Sequence, residues 1–263
     1  MLYNFSNQTI VVTGGEQGIG RATAKLLAAA GGSVFVGDVT LRPENDAEYQ
    51  RLGITRLTCD VRQETAIQSL IGTAFGQTGR LQVLVNNAGV GHVGPITEVS
   101  EAEWDHVMGV NLKGAFLGCK HAIPLMKAAG GGAIVNTASN AGLLPRVHDP
   151  LYSISKQAIV GLTRSLALCH AIDGIRVNAV CPGPVEQTGM MDENLAAEPD
   201  PQAAYLKYVE ASPLAAAARR MIRPQEVAEA IAYLASEAAA MVTGTCLAID
   251  GGKSLGVPPR RNF

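Results

Sequence analysis

Along the chain, short uninterrupted runs of apolar and β-branched residues alternate with longer stretches in which apolar positions recur at helical spacing. The short runs fall at residues 9–13 (TIVVT), 33–38 (SVFVGD), 55–60, 83–86, 133–139, 176–181 and 245–250. They are apolar throughout instead of alternating, which marks strands buried on both faces of a parallel sheet. Helical periods occupy 19–30, 42–51, 64–77, 101–127, 152–170 and 225–236. Pro43 and Pro224 stand where a first helical position would be, and Gly31–Gly32 follows a helix end. Seven strands alternating with six helices predict α/β architecture: a doubly wound, seven-stranded, mainly parallel sheet with helices on both faces. With no linker, repeat or low-complexity tract, residues 1–263 read as one domain. Residues 186–213, rich in Met, Glu, Ala and Pro, carry no strand signal and read either as a substrate lid or as a surface excursion.

Composition narrows the functional classes. Of 263 residues, 47% are hydrophobic and 17% charged, ample for a buried core and contrary to disorder. A net charge of −2, with no basic run longer than the pairs Arg219–Arg220 and Arg260–Arg261, argues against nucleic acid or an anionic membrane as the main partner. The five cysteines are scattered, with no CxxC, and the histidines at 92, 106, 121 and 170 lack metal-ligand spacing, so no metal site is expected. The start, MLYNFSNQTIVVTGG, has no basic segment and only a short apolar run, so a cytoplasmic protein is the expectation.

Chemistry enters at the first turn. In TIVVTGGEQGIGRATAKLLAAAG, Gly14, Gly18 and Gly20 lie directly after a strand and open a helix. Glycines there allow a tight turn and close approach of a pyrophosphate, and the helix start offers free N–H groups and the positive end of its dipole. The spacing is GxxxGxG, not the GxGxxG of the common dinucleotide fingerprint. Asp38, ending the second strand, stands where a carboxylate accepts hydrogen bonds from a ribose 2′-hydroxyl, unless it serves as a turn cap. A carboxylate at that point repels a 2′-phosphate, and Glu16 and Gln17 put no base in the glycine loop, so NAD is favoured over NADP. Asp60 is either a cap or a partner of the adenine amino group.

With these residues the chain resembles the short-chain dehydrogenases/reductases, over nearly its whole length. The cofactor signature TGxxxGxG of that family reads as Thr13 to Gly20, including Gln17, Gly18 and Ile19. Its NNAG element is Asn86-Asn87-Ala88-Gly89, and its YxxxK is Tyr152 to Lys156. The family's catalytic asparagine matches Asn111 in GVNLKG and its serine matches Ser139 in NTASNAG. The resemblance implies a Rossmann-type domain with a cofactor site drawing on Asn87, Ala88, Gly89, Val61 beside Asp60, Tyr152 and Lys156. It adds Pro182, Gly183 and Val185 after the sixth strand. There the sequence departs from the family's PGxVxT: one additional residue places Gln187 at the threonine position and Thr188 one step later, so either could meet the nicotinamide carboxamide.

A tyrosine titrates near pH ~10, too high for a base at neutrality, but a lysine one helical turn away favours the phenolate. Alone, Tyr152–Lys156 could equally be two amphipathic side chains on a half-buried helix; Ser139 at a strand's carboxyl end and the glycine loop favour the catalytic reading. Ser139 would orient the substrate oxygen, and Asn111 would position a water near Lys156, as the resemblance implies, or cap a break between Gly109 and Gly114. The expected reaction is NAD-dependent interconversion of a secondary alcohol and a ketone, with Tyr152 as general acid/base. His148 either lines the substrate cleft or sits in a surface loop. Met190, Met191, Leu195, Tyr205, Leu206 and Tyr208 favour an apolar, cyclic or aryl substrate, or simply pack on the body of the domain. Ketoreduction of acyl-carrier-protein thioesters and a non-catalytic dinucleotide sensor are the alternatives. The resemblance also implies a homotetramer, or a homodimer, built on the two long helices and on the last helix and strand, and the tail from Lys253, with Pro258–Pro259, reads as extended.

Overall fold

The computed structural model describes residues 3–144 and 146–256, so the tail expectation at Pro258–Pro259 lies outside the described residues. Seven strands form one sheet: β1 (Thr9–Thr13), β2 (Ser33–Asp38), β3 (Thr55–Thr58), β4 (Val83–Asn86), β5 (Gly132–Thr137), β6 (Ile175–Pro182) and β7 (Cys246–Ile249). Their order is β3-β2-β1-β4-β5-β6-β7, and every neighbouring pair is parallel. Among the described residues ten α-helices accompany them: α1 (Gly18–Ala29), α2 (Asp46–Arg51), α3 (Glu64–Thr78), α4 (Glu101–Met108), α5 (Gly114–Ala128), α6 (Pro150–His170), α7 (Gly189–Ala196), α8 (Pro201–Glu210), α9 (Pro213–Ala218) and α10 (Pro224–Ala235).

The continuous apolar strands are explained by burial on both sides. Within β1, Ile10 and Val12 point to one face and join Leu27 of α1 with Val227 and Ile231 of α10. Val11 points to the other and joins Leu70, Ile71 and Ala74 of α3 with Leu117 and Met126 of α5. Both clusters are closed to solvent. The chain leaves β1 toward β2 on one side and returns at β4 on the other, so a crevice opens at the carboxyl ends of β1 and β4, where such sheets bind ligands. No described helix is long and apolar enough to cross a membrane.

Several segments differ from the sequence expectation. The helical period at 101–127 is broken at Gly109–Lys113 by a π-helical turn that separates α4 from α5. A widened turn adds a residue without disturbing the apolar pattern, so periodicity alone passes over it. Strands 3 and 5 end early, at Thr58 and Thr137, leaving Asp60 and Ser139 beyond the sheet edge. Residues 186–213 are largely helical. Thr188 and Asp200 cap α7 and α8 by accepting from the Met191 and Ala203 amides, and prolines open α8 and α9. At the tail, Lys253–Leu255 forms a 3-10 turn where an extended chain was expected.

Candidate active site

The glycine loop lies at the β1–β4 crevice. Gly14 has φ +65°, and a Cβ there would stand 2.8 Å from the Ala88 Cα. Gly18 has φ +50°, and its Cβ would meet the Thr188 Cγ2 at 3.0 Å. Both the left-handed backbone and the open space require glycine. The start of α1 follows, with Gln17 at its cap making no side-chain capping bond and no acidic residue in the first turn. Its N–H groups are therefore free for an anion. This donor set, with a cradle that side chains would fill, fits a dinucleotide pyrophosphate. Gly20 is buried in the same turn, and Ile19 packs on the core behind it.

The remaining cofactor candidates surround this cradle. Asp38 accepts from the Glu16 amide at 3.1 Å, which ties the end of β2 to the glycine loop. Asn87 donates through its side chain to the carbonyls of Thr13 and Gly14, at 3.1 and 2.9 Å. The Thr13 hydroxyl accepts from the amides of Asn87 and Ala88. A Cβ on Gly89 would lie 3.3 Å from both Asn111 Oδ1 and Lys156 Nζ, so this glycine joins the cradle to the polar residues beyond it. Asp60 is gripped by Arg62 through Nε and Nη, and these bonds hold its carboxyl below the usual range. Val61 is buried against Gly114.

Beyond β6, Pro182 and Val185 are buried while Gly183 packs against Asp250. The additional residue of this stretch is absorbed at Gln187, whose φ is +57°. That left-handed step swings Thr188 onto Gly18, where its hydroxyl donates to the Val185 carbonyl at 3.1 Å.

Ser139, Tyr152 and Lys156 meet at the carboxyl end of β5, with 6%, 8% and 3% of their surfaces exposed. Two consecutive turns of α6 carry Tyr152 and Lys156, and a buried stripe from Leu151 to Ile159 and Thr163 fixes that face inward. Lys156 Nζ donates to the Thr137 carbonyl at 3.0 Å and lies 5.7 Å from the Tyr152 ring centroid. Burial pulls its ammonium from 10.5 to about 8. Burial pushes the Tyr152 phenol up, and a hydrogen bond from Ser139 and the charge of Arg146 act against that. The Ser139 hydroxyl accepts from the Ala141 amide at 3.1 Å. Asn111, in the π-helical turn, is engaged from both sides. Its Oδ1 accepts from the Val90 amide, and its Nδ2 donates to the Val90 carbonyl and the Ser155 hydroxyl at 3.0 and 2.9 Å. These bonds, which no cap motif announces, account for the widened turn.

The proposed substrate residues separate. Met190 lies on Gly91 at the mouth of the crevice. Tyr205 joins Met191, Val209 and Met221 in a small cluster, and its hydroxyl donates to Glu186 at 3.1 Å. His148 is exposed, with its carbonyl accepting from the Gly94 amide. Two features escaped the sequence. Glu16, 1% exposed, pairs with Arg56 at 2.7 Å and accepts from Asn45 and the Arg42 amide, locking the glycine loop to the β2–β3 side. Burial would raise its carboxyl, but the bonds from Arg56, Arg42 and Asn45 outweigh it and hold it low. Arg146 stands over the Tyr152 ring, 5.3 Å from its centroid. Glu16 occupies a variable position of the glycine signature and Arg146 stands in no motif, so only the fold could reveal their partners. Among the described residues no cluster of His, Cys, Asp or Glu could hold a metal.

The comparisons with known proteins agree with this geometry. A family model described as enoyl-(acyl carrier protein) reductase matches residues 14–254. The chain is 40% identical over 255 residues to a cis-4-hydroxycyclohexanecarboxylate dehydrogenase of Sinomonas cyclohexanicum, covering 94% of this chain and 97% of the relative. It is 38% identical over 256 residues to a 2,5-dichloro-2,5-cyclohexadiene-1,4-diol dehydrogenase of Sphingobium indicum, covering 95% and 98%. Among solved structures, levodione reductase superposes with a TM-score of 0.89 at 30% identity, covering 96% of this chain and 100% of that one.

Proposed function

The chain belongs to the short-chain dehydrogenase/reductase family, whose oxidoreductases use a nicotinamide dinucleotide, and from that premise we propose that it interconverts a cyclic secondary alcohol and its ketone with NAD. The observation that carries the reading is the buried convergence of Ser139, Tyr152 and Lys156 beside the glycine cradle. When bound, the dinucleotide supplies the hydride acceptor for alcohol oxidation and the hydride donor for ketone reduction. The chain's own residues manage the oxygen. Ser139 hydrogen-bonds it and fixes its position, and Tyr152 takes the hydroxyl proton in one direction and returns it to the carbonyl oxygen in the other. Lys156, lowered to about 8 by its burial and still charged at pH 7, stabilises the phenolate and passes the proton outward past Asn111.

NAD is favoured by Asp38, whose carboxylate meets the glycine loop where a 2′-phosphate would otherwise sit. Thr188, brought onto Gly18, is the candidate for the carboxamide contact. The helices α7 to α9 act as the lid, with Met190 over the crevice. The names of the relatives, two of them dehydrogenases of ring alcohols, support a cyclic substrate. We further propose a homotetramer, since Leu168 and Ile172, on and just beyond α6, leave 85% and 94% of their surfaces exposed.

Purified protein is to be assayed with NAD and NADP against a panel of cyclic secondary alcohols and, in reverse, a 3-oxoacyl thioester. NADH formation from the alcohols is expected, and Tyr152→Phe should lower turnover at least about 100-fold while dinucleotide affinity holds. Retained activity in that variant sinks the tyrosine role, and faster use of NADP sinks the role of Asp38. A preference for the thioester sinks the cyclic substrate. Tight NAD binding with no turnover across the panel would instead mark a dinucleotide sensor.

A further inference from the structure

The loop between Ser139 and α6 brings a cation to the mouth of the site that alcohol oxidation itself does not require. Arg146 lies over the Tyr152 ring and pairs with Asp149 through Nη2. Its Nε is closed to solvent and has no acceptor among the described residues. Buried donors in folded proteins are nearly always satisfied, so a donor left open beside a reactive group points to a missing acceptor. Asp149 itself is spoken for: besides Arg146, it accepts from Ser153 at 3.1 Å.

A second cation, from the other end of the chain, lies within electrostatic reach of Arg146. Lys253, in the turn after β7, is depressed by burial and then by the charge of Arg146. It has no ion-pair partner among the described residues, and the nearby Asp250 carboxylate accepts from the Gly252 and Ser254 amides. Burial pushes the Tyr208 phenol of α8 up, with Glu198 and Asp149 adding to it and Arg146 acting against it, so this lid helix lies near the α6 loop. Arg146 thus has Asp149 on one side and the Tyr152 ring beneath it, and its Nε is the donor left over.

We infer that the substrate bears an acid group, a carboxylate or a chemically similar anion, on the side of its ring away from the reacting oxygen, seated on the free edge of the Arg146 guanidinium. The fork of the guanidinium suits a planar carboxylate, and the position over Tyr152 sets the acid one small ring's breadth from the phenol. This rests on the alcohol dehydrogenase reading above and adds to it the substrate's charge.

The test compares two alcohols of one shape, 4-hydroxycyclohexanecarboxylate and 4-methylcyclohexanol, by their kcat/KM ratio with NAD. The ratio cancels any general effect of a substitution on Tyr152. The acid should be favoured at least about tenfold by wild type, and Arg146→Met should bring the ratio within about threefold of unity. Arg146→Lys should restore part of the preference, and Lys253→Met should lower it by a smaller factor. A wild-type ratio near one, or a ratio untouched by Arg146→Met, overturns the inference while turnover of the neutral alcohol leaves the dehydrogenase reading standing. Should neither alcohol react, or the variant fail to fold, calorimetry of wild type with NADH decides. Cyclohexanecarboxylate must then bind at least about tenfold more tightly than cyclohexanecarboxamide, and equal affinity refutes the acid site.

Discussion

Replacing Lys156 by methionine should make the protein more stable while disabling it. The ammonium is 3% exposed, and its burial lowers it from 10.5 to about 8. At about 1.4 kcal/mol per pH unit, that depression means the folded state carries a penalty of about 3 kcal/mol wherever the group is charged in both states. The bond to the Thr137 carbonyl returns about 1 kcal/mol of it and is lost in the variant. Methionine has comparable length and no charge to desolvate, so at pH 7 a net gain of about 2 kcal/mol is expected. The direction with pH follows from the depressed value. The penalty is complete below pH 8, because the lysine is then charged in both states. It fades as pH rises from about 8 toward 10.5, because the folded protein sheds the proton first. Wild type should therefore gain on the variant by about 2 kcal/mol between pH 7 and pH 10. Urea unfolding of the cofactor-free proteins at both pH values measures the double difference, in which the titration of Tyr152 cancels to first order. Equal pH slopes for the two proteins, or a variant less stable than wild type at pH 7, would refute the reasoning.

Three further outcomes are expected. Glu16→Gln should cost about 2–3 kcal/mol at pH 7, because it strips the charge partner from a mostly buried Arg56. Since the Glu16 carboxyl is held below its usual 4.5, its contribution is present above that pH and lost as the pH falls through the lowered value; the melting temperature of wild type should drop more steeply into acid than that of the variant. Gly18→Ala forces a left-handed residue and sets a methyl 3.0 Å from Thr188, so NAD affinity measured by fluorescence titration should fall about tenfold, and an unchanged affinity would show the loop to be more pliant than its geometry implies. Light scattering should give four copies per particle, and charging the exposed surface with Leu168→Glu and Ile172→Glu should yield smaller species; a wild-type monomer would dismiss the tetramer.

The sheet was legible because its signal is continuous burial: a strand such as TIVVT must be covered on both faces whatever its neighbours. Gly14, Asp38, Ser139 and Tyr152 were legible because each stands at a strand end or a helix start that the pattern itself locates. The helices of 189–218 were passed over although Asp200–Pro201 and Ser212–Pro213 are cap-and-proline starts, because short helices without a long apolar stripe give little periodic signal. The π-helical turn at Asn111 was hidden by the same averaging. Glu16 and Arg146 were beyond reach for another reason. Their partners, Arg56 and the Tyr152 ring, are adjacent only after the sheet and α6 have formed.

The position of Glu16 bears on how cofactor preference can be altered. Its carboxylate clasps Arg56, Asn45 and the Arg42 backbone at once, while its own amide holds Asp38. A redesign that exchanges Asp38 alone for a neutral residue removes one acceptor but leaves an anion anchored beneath the same pocket. Acceptance of a phosphorylated ribose then becomes a property of the whole knot, to be rewired as a unit or left as it is.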